Sequence, residues 1–300
     1  MAGLLPNIDP DGLLEYSVVY TDRSLNHMSN SFQKAMNDVS SSLKKVYSAE
    51  SVVLVPGGGT YGMEAVARQF ATNADCLVIR NGWFSYRWSQ ILEMGNIPSK
   101  LTVLKASRKN SGPQEPFSPV EIDKVVAKIK SEKPKIVFAP HVETSAGIIL
   151  PDDYIKAVSE AVHSVGGLFV LDCIASGAIW VDMKKCGVDV LISAPQKGWS
   201  ASPAFGMVMM SSNATKKIQN TQSSSFSCDL LKWHQIMQAY EAGGHAYHAT
   251  MPTDAIKHFR DTINETAEFG FDHAREKQQE LGDRVRTLLK QYGYPSAAAE

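Results

Sequence analysis

No stretch of this sequence approaches the ~20 consecutive apolar residues that a membrane-spanning helix needs. The four cysteines, Cys76, Cys173, Cys186 and Cys228, include no pair at Cys-x-x-Cys spacing, which argues against a zinc site or a disulfide framework. Neither sign of charge is in excess. Lys and Arg total 30, Asp and Glu total 31, and the formal net charge is −1, so no strong field draws nucleic acid or a membrane surface. The opening MAGLLPNIDPDGLLEY has neither the basic n-region nor the long apolar core of a secretory signal. These absences lead us to expect a chain of the reducing cytoplasm, with no nucleic-acid or membrane partner. Internal repeats are also missing. Low complexity is confined to serines 40–42 and 223–225 and to the closing SAAAE.

The 300 residues are 44% apolar, enough for one large domain and part of a second. From residue 51 onward, apolar runs alternate with helical stretches. The runs are SVVLV (51–55), CLVIR (76–80), LTVL (101–104), KIVFA (135–139), LFVLD (168–172), VDVLIS (188–193) and FGMVMM (205–210). Most are continuous rather than alternating, as strands buried on both faces should be, and Met207, Met209 and Met210 read as strand core. Between them, SPVEIDKVVAKIK reads as a helix with Pro119 at its first position, and PDDYIKAVSEAVHSVGG as a helix closed by glycine. Repetition of strand and helix predicts an α/β fold with a mainly parallel sheet covered on both faces. From Pro252 the pattern turns helical and charged, which suggests departure toward a second domain.

Two features carry candidate chemistry. In VVLVPGGGTYGMEAVARQF, a glycine turn joins a strand to a helix. Gly58 and Gly59 let the backbone come close to a ligand, and a helix starting near Thr60 aims free N–H groups and a positive dipole end at it. A phosphate group, a dinucleotide and a plain tight turn all remain open. Gly57, Gly59 and Gly62 satisfy the dinucleotide spacing. The next strand, however, ends at Arg80 and Asn81 instead of an acid, which disfavours NAD and leaves NADP. The second feature is a pair of strand ends. LFVLD ends in Asp172, and VDVLIS leads into Gln196 and Lys197. Ligands of open α/β sheets sit beyond the carboxyl ends of the strands, so both side chains should reach the crevice of the glycine turn. A carboxylate there can hold a pyridine nitrogen protonated, and a lysine can form an imine and then act as a mobile base. Taken singly, the aspartate could be a helix cap and the lysine a solvated surface residue.

These residues resemble a known family. SAPQKGWSASPAFGMV is similar to the lysine motif of the class V aminotransferases, which include alanine–glyoxylate and serine–pyruvate aminotransferases. Further motifs follow in the family's order: PGGGTYG, NGWF, HVETSAG, DCIAS and YHATMP. The resemblance implies the aspartate-aminotransferase fold of pyridoxal 5'-phosphate (PLP) enzymes, fold type I. It implies an N-terminal segment at 1–25, a large PLP-binding domain at 26–262 and the beginning of a small domain at 263–300. Lys197 would carry PLP as an imine, with Gln196 beside it. Gly58, Gly59 and Thr60 would take the phosphate, Phe84 would stack on the ring, and Thr144 would lie near the ring oxygen. Asp172 would pair with the pyridine nitrogen and Ile174 would press on the other face. Tyr247 and Thr250 would reach the phosphate of a neighbouring subunit, which implies a homodimer. The expected reaction moves an amino group from a small amino acid to a small oxo acid such as pyruvate or glyoxylate.

Two departures accompany the resemblance. The family's Gly-Pro loop is missing from LLPNIDPDGLLEYSVVYTDRSLNHMS, and no arginine is assigned to clamp the substrate carboxylate. Arg260, Arg275, Arg284 and Arg286 fall on helical stretches and read as solvated. His141 and His248 read as hydrogen-bonded structural histidines. A PLP-dependent lyase or desulfurase is the first alternative. A desulfurase needs a mobile cysteine, for which Cys173 and Cys228 are the candidates. An NADP-binding oxidoreductase using Arg80 is the second, and a cofactor-less relative, against which Lys197 and Asp172 argue, is the third.

Overall fold

The computed structural model describes residues 25–108 and 110–299. The expected N-terminal segment, except Leu25, and most of the region lacking the Gly-Pro loop lie outside the described residues. Seven strands build the central sheet: β1 (Ser51–Pro56), β2 (Asp75–Arg80), β3 (Lys100–Lys105), β4 (Ile136–Pro140), β5 (Leu168–Asp172), β6 (Val190–Ser193) and β7 (Phe205–Met210). Their spatial order is β1-β7-β6-β5-β4-β2-β3. β7 pairs antiparallel with β1 and with β6, and every other pairing in the sheet is parallel. Each apolar run of the sequence forms one of these strands. The exception to two-sided burial is LTVL: β3 is one of the two edge strands and its residues are only half-covered, whereas β1, at the other edge, is buried.

The longer helices are α1 (Asn30–Tyr47), α2 (Gly59–Phe70), α3 (Trp83–Met94), α4 (Ile122–Glu132), α5 (Asp152–Ser164), α6 (Leu230–Glu241), α7 (Thr253–Phe269) and α8 (Phe271–Gln291); α1, α2, α3, α5 and α6 pack directly on the sheet. The expected start of α4 is wrong. Its N-cap is Glu121, so Pro119 lies outside the helix. Phe117–Ser118 instead pairs with Ser107–Arg108, and the Tyr154 hydroxyl donates to the Val120 carbonyl at 2.7 Å. These contacts hold the segment extended until residue 121. Arg260 is also not solvated: it is half-buried and pairs with Asp261 at 2.6 Å and Asp38 at 3.3 Å, tying α7 to α1. The chain passes through residue 262 inside α7.

The parallel strands all point their carboxyl ends at one edge of the sheet, where the chain turns over into loops. The loop after β6 is fixed from below by Trp199, which is buried against Trp180 (centroids 4.6 Å apart), Phe259 (5.7 Å) and Phe271 (6.1 Å). Beside it, Gly198 packs on the backbone of Gly177 so closely that a Cβ would collide with the Gly177 carbonyl carbon. Glycine at 198 therefore lets the loops after β5 and β6 touch. α8 secures the same place. Gln278 accepts from the Ala178 amide at 2.6 Å and donates to the Ser176 carbonyl at 3.1 Å.

Candidate active site

A cleft of about 180 Å3 opens at this edge, lined by Gly59, Thr60, Met63, Phe84, Arg87, Val142, Thr144, Asp172, Ile174, Ala175, Gln196 and Lys197. Eight residues singled out from the sequence thus meet in one place: Gly59, Thr60, Phe84, Thr144, Asp172, Ile174, Gln196 and Lys197. Gly58 caps α2 immediately before them.

The glycine turn is shaped by close approach. A Cβ on Gly59 would stand 2.7 Å from Ile174 Cδ1 and 3.2 Å from Ala194 Cβ, so any larger residue would push into the cleft wall. Gly57 has φ +122° and is covered by the Tyr61 ring, whose carbons would lie 2.5 Å from an added Cβ. As first residues of α2, Gly59 and Thr60 have N–H groups with no intrahelical acceptor. Among the described residues no side chain caps that end, which leaves the donors and the dipole for an anion.

Asp172 is buried at the end of β5, and its Oδ1 accepts from the Ile174 amide at 2.9 Å. Burial pushes the carboxyl up to about 6. The Ile174 amide and the Arg87 charge oppose this rise, and Glu143 adds to it. Lys197 and Gln196 are exposed on the loop after β6, facing the cleft. Phe84 is 38% exposed and Trp83 64%, so neither is a core aromatic.

Two charged residues of the site were not singled out from the sequence. Arg87, one turn into α3, lines the cleft and donates to the Thr60 hydroxyl at 3.1 Å. Its guanidinium carbon lies 5.6 Å from the Phe84 ring centroid. Glu143 is fully buried behind Phe84. Its position inside HVETSAG was the one available signal, and for Arg87 the sequence offered none beyond its place one turn after NGWF.

His141 matches the structural reading: its Nδ1 lies 2.7 Å from the Ser176 hydroxyl, and burial, with the Arg275 charge, holds the imidazole down to about 4. Arg275 is therefore close enough to act on His141 and is half-covered instead of fully solvated. His248 binds the Phe226 carbonyl through Nε2 at 2.9 Å. Tyr247 and Thr250 are not part of the Lys197 cleft. They line a separate groove of about 650 Å3 with Leu25, His27 and Trp233, where Tyr247 is 65% exposed and its hydroxyl lies 3.4 Å from that of Thr250.

The alternatives fare differently. Arg80 stacks on the Tyr86 ring at 4.7 Å, which occupies the residue an NADP site would have used. All four cysteines are buried. Burial raises the Cys173 thiol well above its ordinary value and raises that of Cys228 too, the reverse of an activated nucleophile.

The residues fit PLP. Free N–H groups at a helix start suit a phosphate, and a buried carboxylate suits a pyridinium. A reachable amine suits an aldehyde, and Phe84 and Ile174 suit an aromatic ring. The comparisons with known proteins agree. The family model described as aminotransferase class-V matches residues 13–298. The small subunit of a soluble hydrogenase from Synechococcus sp. is 24% identical over 280 residues, covering 92% of this chain and 69% of that protein. The 2-aminoethylphosphonate–pyruvate transaminase of Vibrio vulnificus is 28% identical over 238 residues, covering 78% of this chain and 60% of its own length. Among solved structures, an alanine–glyoxylate aminotransferase from Nostoc sp. superposes with a TM-score of 0.76 at 22% identity, over 97% of this chain and 72% of that one. The chain thus spans between 60% and 72% of the length of these relatives.

Proposed function

The chain belongs to the class-V aminotransferase family, and from that membership we propose that it is a PLP-dependent aminotransferase moving an amino group from a small amino acid to a small oxo acid such as pyruvate or glyoxylate. The observation that carries this reading is the convergence of Lys197, Asp172 and the Gly59–Thr60 turn on one cleft. When bound, the cofactor supplies a sink for the electrons left at the substrate's α-carbon. The chain's residues supply the rest. Gly58, Gly59 and Thr60 would hold the phosphate, and Gln196 would stand beside Lys197. Asp172, whose burial favours sharing a proton, keeps the ring nitrogen protonated. Phe84 and Ile174 would confine the ring, and Thr144 would serve its oxygen. Lys197 would hold the cofactor through its side-chain amine, and that amine, when free, would be the base that moves a proton at the substrate α-carbon.

The same reading makes the protein a homodimer of the cytoplasm. Tyr247 and Thr250 stand exposed on a groove away from their own cleft, as residues that serve a neighbour's phosphate would. Residues 26–262 form the large domain and 263–300 begin the small one. Mixing the PLP-loaded protein with alanine, serine and 2-aminoethylphosphonate tests the reaction. Stoichiometric pyridoxamine phosphate and the matching oxo product support it. Release of ammonia or sulfide with the cofactor unchanged would replace it with the lyase reading.

A further inference from the structure

Glu143 is the most completely bonded carboxylate beside the cleft. It sits in a two-residue ladder, Val142–Glu143 against Ile148–Ile149, and is fully buried. Oε1 accepts from the Phe84 amide at 3.1 Å, the Ser145 hydroxyl at 2.7 Å and the Ser145 amide at 3.3 Å. Oε2 accepts from the Ser85 amide at 2.9 Å and the Ser85 hydroxyl at 2.6 Å. Ser145 Oγ in turn accepts from the Trp83 amide at 2.9 Å. The carboxylate therefore binds two of the free N–H groups of α3 directly and a third through Ser145, at the positive end of the helix.

Burying a charge without a cation is costly unless hydrogen bonds replace its water. Burial pulls the Glu143 carboxyl up, yet the bonds from Ser85, Ser145 and Phe84 together hold it below its ordinary value, so it stays ionised. The fit leaves little room. A Cβ on Gly82 would run into Ser145 Oγ and stand 2.7 Å from Glu143 Cδ.

This clamp joins two elements that each contribute a wall of the cleft. Phe84 gives its own amide to Glu143, and Thr144 follows Glu143 in the chain. Both line the cleft with Asp172. We propose that Glu143 is the positioning residue of this site, setting the spacing between Phe84 and Thr144 so that the aromatic ring of a cofactor is held in one orientation relative to Asp172. The proposal rests on the cleft being a PLP site. It adds an electrostatic consequence: the negative charge of Glu143 raises the proton affinity of Asp172.

The test is Glu143→Gln in the full chain, loaded with PLP. Glutamine keeps the shape and one acceptor oxygen but turns an NH2 toward N–H or O–H donors on one side of the clamp. The expected results are about tenfold weaker PLP binding, as for loss of hydrogen bonds to a charged group, and reduced circular dichroism of the cofactor's visible band. The pH midpoint of that band should also move down, because a negative charge has gone. A merely structural role would lower the unfolding temperature and leave the bound spectrum and its midpoint unmoved, and that result overturns the proposal. If Glu143→Gln does not fold, Ser145→Ala takes its place. It removes one bond to Oε1 and the bridge to Trp83 while keeping the charge, so dichroism should fall with an unshifted midpoint. Wild-type dichroism in Ser145→Ala overturns the clamp. A wild-type protein that takes up no PLP at all overturns the underlying cofactor reading and the proposal with it.

Discussion

The Arg87 guanidinium donates to the Thr60 hydroxyl at 3.1 Å, so the cation of α3 rests on the glycine turn at the start of α2. Thr60 also stands in the first turn of that helix, so on the proposed reading a fixed positive charge lies beside the phosphate. Replacing Arg87 by Met should therefore weaken PLP binding by about tenfold, the scale of one hydrogen bond to a charged group. Binding of pyridoxal, which lacks the phosphate, should change little. Titrations of both ligands by absorbance provide the comparison. An equal loss for the two would place Arg87 at the ring instead.

Asp172→Asn should separate binding from chemistry. Asparagine can still accept from the Ile174 amide but carries no charge to hold a proton on the ring nitrogen. The half-reaction from amino acid to oxo acid should slow by about 2–4 kcal/mol, the cost of removing one key electrostatic group. PLP affinity should fall less, because the phosphate turn and Lys197 are intact. Stopped-flow absorbance with a saturating donor measures the step. A half-reaction at the wild-type rate would mean that Asp172 does not hold the ring proton.

Much of this site was legible in the sequence because strand ends are legible. Short apolar runs such as LFVLD and VLIS read as buried strands from their length and flanking residues, and the chemistry-bearing residues stand at or a few residues beyond their carboxyl ends. Asp172 and Lys197 could thus be placed together before any contact was known. Glu143 and Arg87 were harder to find, since a lone charge on a loop or helix reads as solvated. Their roles exist only where α3 meets other segments: Glu143, on the loop after β4, binds the Phe84 and Ser85 amides, and Arg87 reaches Thr60 of α2. The start of α4 was missed for a similar reason. Pro119 suits a first helical turn, but the Tyr154 hydroxyl from α5 holds the Val120 carbonyl outside the helix.

Away from the cleft, His163 and Asp189 pair at 2.7 Å, and Asp189 also accepts from the Phe169 amide and Asn213. The bond to Asp189 raises the His163 pKa above 6.5; despite burial, the bond from His163, the Phe169 amide and Asn213 lower that of Asp189 below 3.8. The histidine contribution is then complete below pH 6.5 and is lost as pH rises through the folded value. The aspartate contribution is complete above pH 3.8 and is lost as pH falls through its folded value. His163→Gln should cost less than about 1 kcal/mol near pH 6, because the imidazole is partly solvated and screened. The cost should shrink as the pH rises. Unfolding midpoints of both proteins across pH 5–9 supply the check, and a difference that grows with pH would contradict the pairing.

Burial of all four thiols makes a further prediction. A thiol-specific reagent should label Cys76, Cys173, Cys186 and Cys228 slowly in the native protein and rapidly after unfolding. Native labelling of Cys173 or Cys228 at the rate of a free thiol would restore the desulfurase reading.

On the proposed reading, Lys197 holds PLP in this cleft. Borohydride reduction of the PLP-loaded protein, followed by digestion and mass spectrometry of the peptides, tests it most directly. The predicted result is one pyridoxyl group per chain, on Lys197, with no label retained by Lys197→Ala. A label on another lysine, or a protein that cannot be loaded with PLP, would contradict it.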